Sequence, residues 1–157
     1  MATIGNEVAL FALMSEGIQG RPTMFPDLNP NAEVFPKEWG FYINFPFGEH
    51  FRRTDGVIMT KILVIKPFQR FSLQRHFQRS ERWLILSPSL MITLENDHKI
   101  QDIIPSIGSS IDVPIQRLHR AHNLGTQSGL IYEEMFHCYS EDDIERIQDD
   151  YGRTRGR

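Results

Sequence analysis

One short stretch near the middle of the chain combines side chains that can bind a metal ion. Gln74 and His76 are two residues apart, so on an extended strand their side chains leave the backbone on the same face. Glu81 follows after a turn-like break, at the start of the apolar run 83–86, and a returning strand would bring its carboxylate back beside the imidazole. Amide, imidazole and carboxylate donors together suit a divalent cation such as zinc, manganese or iron.

A fourth donor is expected from elsewhere in the chain. The segment 108–123 resembles the second motif of the cupin superfamily, because its glycine, proline, histidine and asparagine fall in the register of that motif. The stretch around His76 resembles the first cupin motif, in which two ligands one residue apart are followed by four residues and a glutamate. The resemblance implies a metal site with the ligands Gln74, His76, Glu81 and His119.

A narrower resemblance comes from Ser-Leu-Gln-x-His at 72–76 and Arg-Ser-Glu-x-Trp at 79–83. These motifs resemble those of the mannose-6-phosphate isomerase domain of the type II phosphomannose isomerases. That domain occurs alone or fused to the C-terminal side of a GDP-mannose pyrophosphorylase. Supporting segments follow the order of that family at 37–42, 61–67 and 141–153. The 157 residues leave no room for a pyrophosphorylase half and contain no Gly-rich nucleotide loop, so the free-standing form of the domain is expected.

The reaction that this resemblance implies is the interconversion of mannose 6-phosphate and fructose 6-phosphate. A proton must move between C1 and C2 through an enediol, and a divalent cation would stabilise the charge on its oxygens. Zinc is the first expectation for that cation, with manganese, cobalt or iron as alternatives. Two other interpretations stay open: a cupin that binds a sugar or sugar nucleotide without turnover, and a cupin with epimerase or oxygenase chemistry.

Catalysis would also need a general base and cations for the substrate. His122 has a suitable pKa range for the base, although strand alternation predicts that it lies on the face opposite His119. Arg79 and Arg120 are candidates for the phosphate or the enediolate, because a guanidinium group suits both. Two lysines that flank the preceding strand are further candidates for substrate binding: Lys61 and Lys66.

The chain departs from its family at two groups of positions. Close relatives carry imidazoles where this chain has Phe77, Gln78 and Arg82, which predicts an altered pocket wall and leaves the exact sugar open. Turn glycines of the cupin motifs are also replaced, which predicts altered loops at the barrel rim. The replacing residues are Phe68, Pro88 and Gln116.

From residue 39 onward, short segments rich in Val, Ile, Phe and Tyr alternate with turn residues, which predicts many β-strands. Strands at this spacing, without a long helix between them, favour an antiparallel sandwich or barrel. The cupin resemblance narrows this prediction to an all-β double-stranded β-helix, which is a jelly-roll barrel.

The ends of the chain have different patterns. Ser140, followed by three acidic residues, predicts the N-cap of a short C-terminal helix that packs through Ile144 and Ile147. Prolines among polar residues predict an extended N-terminal arm. The predicted organisation is therefore an arm at 1–36, a barrel with its terminal helix at 37–153 and a tail at 154–157.

Composition limits the possible partners. The 157 residues are 40% hydrophobic and 24% charged, which is typical of one globular domain. A net charge of -3 predicts no general attraction to nucleic acid or an anionic membrane, so a sugar phosphate must meet a local basic pocket. Cys138 is the only cysteine, which excludes an intrachain disulfide and favours the cytoplasm. A homodimer formed by strand exchange of the arm stays an option.

Overall fold

The computed structural model describes residues 33–45, 56–138 and 140–153, and these residues belong to one compact unit. The predicted arm up to residue 32 and the predicted tail 154–157 lie outside them. The described part of the chain contains no helix with the length and hydropathy that a membrane crossing needs. Its strands are β1 (Glu33–Lys37), β2 (Gly40–Phe45), β3 (Val57–Ile65), β4 (Leu73–Arg75), β5 (Ser80–Ile85), β6 (Leu90–Asn96), β7 (Lys99–Ile103), β8 (Ser110–Val113), β9 (His119–Asn123), β10 (Gly129–Phe136) and β11 (Glu145–Gln148).

The strands form two antiparallel sheets. The larger sheet has the order β1-β2-β3-β10-β5-β8, and the smaller has the order β11-β4-β9-β6-β7. Neighbours in each sheet are mostly distant in sequence, as in a jelly roll, where the chain crosses repeatedly between two sheets. This arrangement confirms the predicted all-β barrel. β1 already begins at Glu33, within the segment predicted as an arm, and it pairs with β2 along its whole length.

Apolar side chains from both sheets fill much of the barrel interior. Trp83 and Ile85 of β5 pack in one cluster with Ile92 of β6 and Ile131 of β10, and all four are almost fully buried. Burial of side chains of this size stabilises a fold by roughly 1.5–3 kcal/mol each. The indole of Trp83 also meets the imidazole of His119 edge-on, with ring centroids 5.5 Å apart, so the apolar cluster borders a polar one.

The strand registers align polar residues in two rows. Residues directly opposite one another on paired strands share a face of the sheet. In the larger sheet one such row crosses β3, β10 and β5, and in the smaller sheet another crosses β11, β4 and β9. The first row is Lys61, Glu133 and Trp83, and the second is Arg146, Gln74 and His119.

The prediction of a C-terminal helix is wrong, because this part of the chain forms a strand. Ser140 does accept a hydrogen bond from the backbone N–H of Asp142, at 3.3 Å, but the chain then makes a turn and continues as strand β11. β11 pairs with β4, which satisfies backbone groups at the edge of the smaller sheet. An ion pair of 2.5 Å between Arg75 and Glu145 joins the two strands. Ile147, which was predicted to pack inside, is 38% exposed.

Two turns keep a backbone that suits glycine although another residue occupies them. Phe68 has φ 59° and Gln116 has φ 65°, both in the left-handed region. The third replaced glycine position, Pro88, is followed by Ser89 with φ 65°. A residue with a Cβ atom in this conformation is strained by about 1 kcal/mol. At Phe68 and Gln116 the replacements thus strain the turns without removing the left-handed backbone, which corrects the prediction of altered loops there.

Gln116→Gly is therefore expected to stabilise the protein. Gln116 is exposed, and its backbone N–H donates to the carbonyl of His76 at 2.7 Å, a bond that glycine retains. Relief of the strained φ outweighs the extra entropy of a glycine in the unfolded chain, for a net gain of up to about 1 kcal/mol. Urea unfolding checks this as a higher midpoint at an unchanged slope. The matched control is Gln101→Gly in the exposed strand β7, which should lower the midpoint; a lower midpoint for Gln116→Gly itself would contradict the prediction.

Candidate metal centre

Two imidazoles and one carboxylate converge in the barrel interior. His76 follows β4, Glu81 lies in β5 and His119 begins β9, and one donor atom of each lies within 4.8 Å of the others. His76 Nε2 is 3.3 Å from Glu81 Oε1, and His119 Nε2 is 3.7 Å from Glu81 Oε2. All three side chains are buried. The structure therefore brings together three of the four ligands that the sequence predicts.

Backbone carbonyls set the orientation of both imidazoles. Nδ1 of His76 is bonded to the carbonyl of Asp143, and Nδ1 of His119 lies 2.9 Å from the carbonyl of Arg117. A carbonyl only accepts hydrogen bonds, so each Nδ1 carries the proton and each Nε2 carries the lone pair. Burial lowers the pKa of His76 to about 4 and also lowers the pKa of His119, so both rings are neutral near pH 7.

This donor set fits a divalent cation. Neutral imidazoles with Nδ1 held by a carbonyl and the lone pair on Nε2 are the usual state of metal-ligating histidines. Nε2 of His119 is fully buried and has no hydrogen-bond partner in the described structure. A buried polar atom without a partner is unusual, and an ion between His119, His76 and Glu81 would satisfy it.

Gln74 lies next to this cluster. It is directly opposite His119 across the pairing of β4 with β9, so the two side chains share a face. Its Oε1 accepts a hydrogen bond from the hydroxyl of Ser72 at 2.7 Å and retains a second lone pair. The position agrees with the predicted fourth ligand, and that role stays a prediction.

Arg79 is buried against the cluster. Its Nε lies 2.8 Å from Glu81 Oε1, and its Nη2 lies 2.9 Å from His76 Nε2, to which it donates. Burial alone would raise the pKa of Glu81, but the surrounding charges outweigh burial and lower that pKa, and the largest of them is the charge of Arg79. Glu81 is therefore an ionised carboxylate, the form that binds a cation.

A second carboxyl group, Glu133 of β10, borders the cluster and was not predicted as a site residue. The indole N–H of Trp83 lies 3.0 Å from Glu133 Oε2 and 3.1 Å from Glu81 Oε2, so it links the two side chains. Lys61 Nζ is 4.0 Å from Glu133 Oε1. Burial, and then the charge of Glu81, raise the pKa of Glu133 to about 8. In the sequence, its two-residue spacing from the apolar Ile131 indicated at most a shared face, and not which residues that face would meet.

Asp143 fixes the loop between two of the candidate ligands. Its carboxylate accepts the backbone N–H groups of Phe77, Gln78 and Arg79 at 2.9–3.0 Å, while its carbonyl holds His76. Three donors around one carboxylate make a strong, geometrically defined anchor. In the sequence Asp143 was interpreted only as an acid in the first turn of a helix.

Asp143→Ala is expected to destabilise the protein by about 2–4 kcal/mol, because it leaves three backbone donors without their charged acceptor. The alanine variant keeps the backbone carbonyl that holds His76, but the loop that carries His76 loses its anchor. The orientation of His76 should therefore loosen, which lowers the affinity for metal. Chemical denaturation and titration with zinc check the two effects. The control is Asp142→Ala, since Asp142 is exposed and should give less than about 0.5 kcal/mol. Equal stability of both variants would show that the anchor contributes little.

Three predicted substrate or catalytic residues do not lie at the cluster. Arg120 and His122 lie on the face of β9 opposite His119, because side chains alternate along a strand. Arg120 contacts Gln148 there, at 3.4 Å. Lys66 is exposed and bonds the carbonyl of Glu38 at 3.3 Å. This geometry corrects the expectation that these three reach the substrate, whereas Lys61 and Arg79 are at the cluster.

The three positions at which the family resemblance predicts imidazoles face away from the cluster. Phe77 is 47% exposed and its ring lies under the guanidinium of Arg75, at 5.3 Å. Gln78 is exposed, and so is Arg82, whose Nε donates to Asp112 at 2.9 Å. These replacements therefore leave the buried wall unchanged, contrary to the prediction.

Two antiparallel sheets around a cluster of two histidines and a glutamate define a cupin-type domain. Within this class, residues 28–149 match the family described as "Mannose-6-phosphate isomerase C-terminal", and the chain belongs to that family. The described cluster lies entirely within the matched residues.

Similar proteins are much longer than this chain. Alginate biosynthesis protein AlgA of Pseudomonas aeruginosa is 33% identical over 125 residues, which are 79% of this chain and 24% of that protein. Mannose-1-phosphate guanylyltransferase of Salmonella montevideo is 30% identical over 125 residues, again 79% of this chain and 24% of that protein. The chain thus spans about a quarter of the length of these curated relatives.

Solved structures share the fold at low sequence identity. The capsular polysaccharide assembling protein CapF of Staphylococcus aureus matches with a TM-score of 0.61 at 15% identity, over 74% of this chain and 34% of that chain. Oxalate decarboxylase of Bacillus subtilis matches with a TM-score of 0.57 at 18% identity, over 73% of this chain and 29% of that chain. These likenesses establish the fold, and the reaction must be argued from the site.

Proposed function

We propose that this domain is a metal-dependent sugar-phosphate isomerase that interconverts mannose 6-phosphate and fructose 6-phosphate. The observation that carries the proposal is the convergence of His76, Glu81 and His119, with both imidazoles held in the ligand state by carbonyls. Membership of the mannose-6-phosphate isomerase C-terminal family supports this choice of substrate.

The proposed ligands are His76, Glu81 and His119, with Gln74 as the fourth. When bound, a divalent cation supplies Lewis-acid stabilisation of the negative charge that develops on O1 and O2 of the sugar. Zinc is the first choice, and manganese, cobalt or iron would serve the same purpose.

Arg79 and Lys61 supply positive charge next to the ligands. The guanidinium of Arg79 lies against Glu81 and His76, and Lys61 is bonded to Glu141 near Glu133. Fixed cations in a buried site stabilise developing negative charge more effectively than they would in water. In the proposed reaction Arg79 stabilises the enediolate, and Lys61 holds the two glutamates in place.

Glu133 is the group proposed to move the proton between C1 and C2. It is a buried carboxyl group beside the cluster, outside the proposed ligand set, and Trp83 and Lys61 fix its orientation. A general base must be held in position and have a pKa near the operating pH. With a pKa of about 8, Glu133 can accept the proton from carbon in its ionised form and return it from its protonated form.

The direct test is to incubate the pure protein with mannose 6-phosphate and one of zinc, manganese, cobalt or iron, and to assay fructose 6-phosphate. Metal analysis of freshly prepared protein should find about one equivalent of a divalent cation. Chelation should abolish product formation, and addition of metal should restore it. Failure to form product with all four metals would contradict the isomerase proposal.

A second candidate function is binding of a sugar or sugar nucleotide without turnover. The observation that favours it is the contact of Arg79 with both His76 Nε2 and Glu81 Oε1, which satisfies two of the three candidate ligands without an ion. Calorimetric binding of mannose 6-phosphate by metal-free protein, without fructose 6-phosphate formation on addition of any metal, would support this alternative.

A small sugar phosphate is the proposed partner, since the cations at the cluster suit an anionic ligand of that size. The cytoplasm is the proposed location, because the chain has a single cysteine and its proposed substrate is a metabolite.

A further inference from the structure

Arg146 of β11 faces the same side of the smaller sheet as the candidate metal ligands. It lies directly opposite Gln74, which in turn lies opposite His119. Its neighbour Glu145 forms an ion pair with Arg75 on the other face of the sheet. Side chains alternate along a strand, so Arg146 lies on the face of the candidate ligands. Two strand spacings of about 4.8 Å separate the backbones of Arg146 and His119, which is about 10 Å in all.

Arg146 has no counter-ion of its own among the residues that the structure describes. Its Nε is buried without a hydrogen-bond partner. The three acids that act on it are already paired, since Glu141 is bonded to Lys61, Asp149 accepts from Arg153 at 3.0 Å, and Glu38 lies 3.9 Å from Arg153. Burial lowers the pKa of Arg146, and the nearby Arg153 lowers it further. Its surroundings therefore leave a guanidinium that an added anion would stabilise.

We propose that Arg146 binds the phosphate group of a sugar phosphate whose opposite end lies at His76, Glu81 and His119. A guanidinium group presents parallel N–H donors that match two phosphate oxygens, and it is half-buried here, so it is partly shielded from water. Its separation from His119 suits a six-carbon sugar phosphate, in which the reacting carbons and the phosphate are at opposite ends.

The other cations of the site are less suited to this role. Arg79 is engaged by Glu81 and His76, and Lys61 is engaged by Glu141 and Glu133. Arg153 is engaged by Asp149. Arg146 is thus a cation on this face of the sheet that forms no ion pair with a described carboxylate. The inference rests on the proposed function in that it places the sugar end at the candidate metal ligands.

Calorimetric titration with mannose 6-phosphate and with mannose tests the inference without relying on turnover. The zinc-loaded wild-type protein should prefer the phosphorylated sugar. Arg146→Gln should weaken binding of mannose 6-phosphate by about 10- to 100-fold and leave binding of mannose and the zinc content unchanged. Arg146→Lys should recover part of the loss. The matched control is Arg120→Gln, which removes a half-buried arginine from the outer face of β9 and should change neither affinity.

The outcomes separate this inference from the isomerase proposal. If Arg146→Gln loses the preference for mannose 6-phosphate while the wild-type protein forms no fructose 6-phosphate, phosphate binding by Arg146 stands and the isomerase proposal falls. If the wild-type protein is an isomerase and Arg146→Gln leaves its KM unchanged, the inference is overturned and the isomerase proposal stands. A wild-type protein without any preference for the phosphorylated sugar would also overturn the inference.

Discussion

His119→Ala is expected to remove metal binding and to lower isomerase activity by about 1,000-fold or more. His119 is fully buried, and its Nε2 has no hydrogen bond in the described structure, which leaves this nitrogen available to the proposed cation. The alanine variant lacks that donor. Lewis-acid stabilisation supplies several kcal/mol to the transition state, and each 1.36 kcal/mol corresponds to a factor of ten. Metal analysis should find the bound cation reduced from about one equivalent to almost none.

The control for this prediction is His122→Ala, three residues further along the same strand. His122 lies on the outer face of β9, so its loss should leave both metal content and activity close to those of the wild-type protein. Tryptophan fluorescence should confirm that both variants are folded, because Trp83 lies next to His119. Full metal occupancy in His119→Ala would show that the three side chains do not share an ion. Loss of activity in His122→Ala would restore His122 as a candidate base.

Glu133→Gln is expected to lower kcat by about 100- to 10,000-fold while leaving KM and metal content almost unchanged. General acid–base catalysis contributes an effect of this size, and an amide of the same shape cannot accept the proton. Glutamine can still accept the hydrogen bond of Trp83, so the fold should be preserved. Rate measurements at saturating substrate, together with metal analysis, separate a loss of proton transfer from a loss of the cation.

Glu134→Gln is the matched control, because Glu134 is the next residue on β10 and faces the other side, 3.8 Å from Arg82. Its kcat should stay within about twofold of the wild-type value, since a change away from the site has little effect on the reaction. If Glu133→Gln retains the wild-type kcat, another group moves the proton. If Glu133→Gln loses its metal instead, Glu133 belongs to the ligand set.

Local spacing and the resemblance to the cupin motifs together predicted the centre of the site: the spacing related Gln74 to His76, and the resemblance added Glu81 and His119. The two-residue interval between Gln74 and His76 implied a shared face, and the structure places both beside His119. Strand alternation also indicated that His122 points away from that face. The structure agrees with these two orientations because each depends on the alternation of side chains along one short extended segment, which the sequence states directly.

Residues that depend on pairings between distant strands were not predictable in this way. Glu133 and Asp143 reach the cluster only because β10 pairs with β5 and the segment after β10 folds back onto the 76–79 loop. The helix predicted after Ser140 failed for the same reason. A serine followed by acids is a local helix signal, whereas the free edge of β4 supplies the long-range hydrogen bonds that make β11 a strand.

The anchoring of His76 and its loop by Asp143 links the candidate centre to a segment more than 60 residues later in the chain. A chain grows from its N terminus during synthesis, so all the proposed ligands emerge from the ribosome before this anchor does. It follows that an incomplete chain carries the ligands without the contacts that hold their loop, and that it gains a well-ordered centre only when residues 140–153 have joined the barrel. Binding of the proposed cation should therefore depend on this later segment.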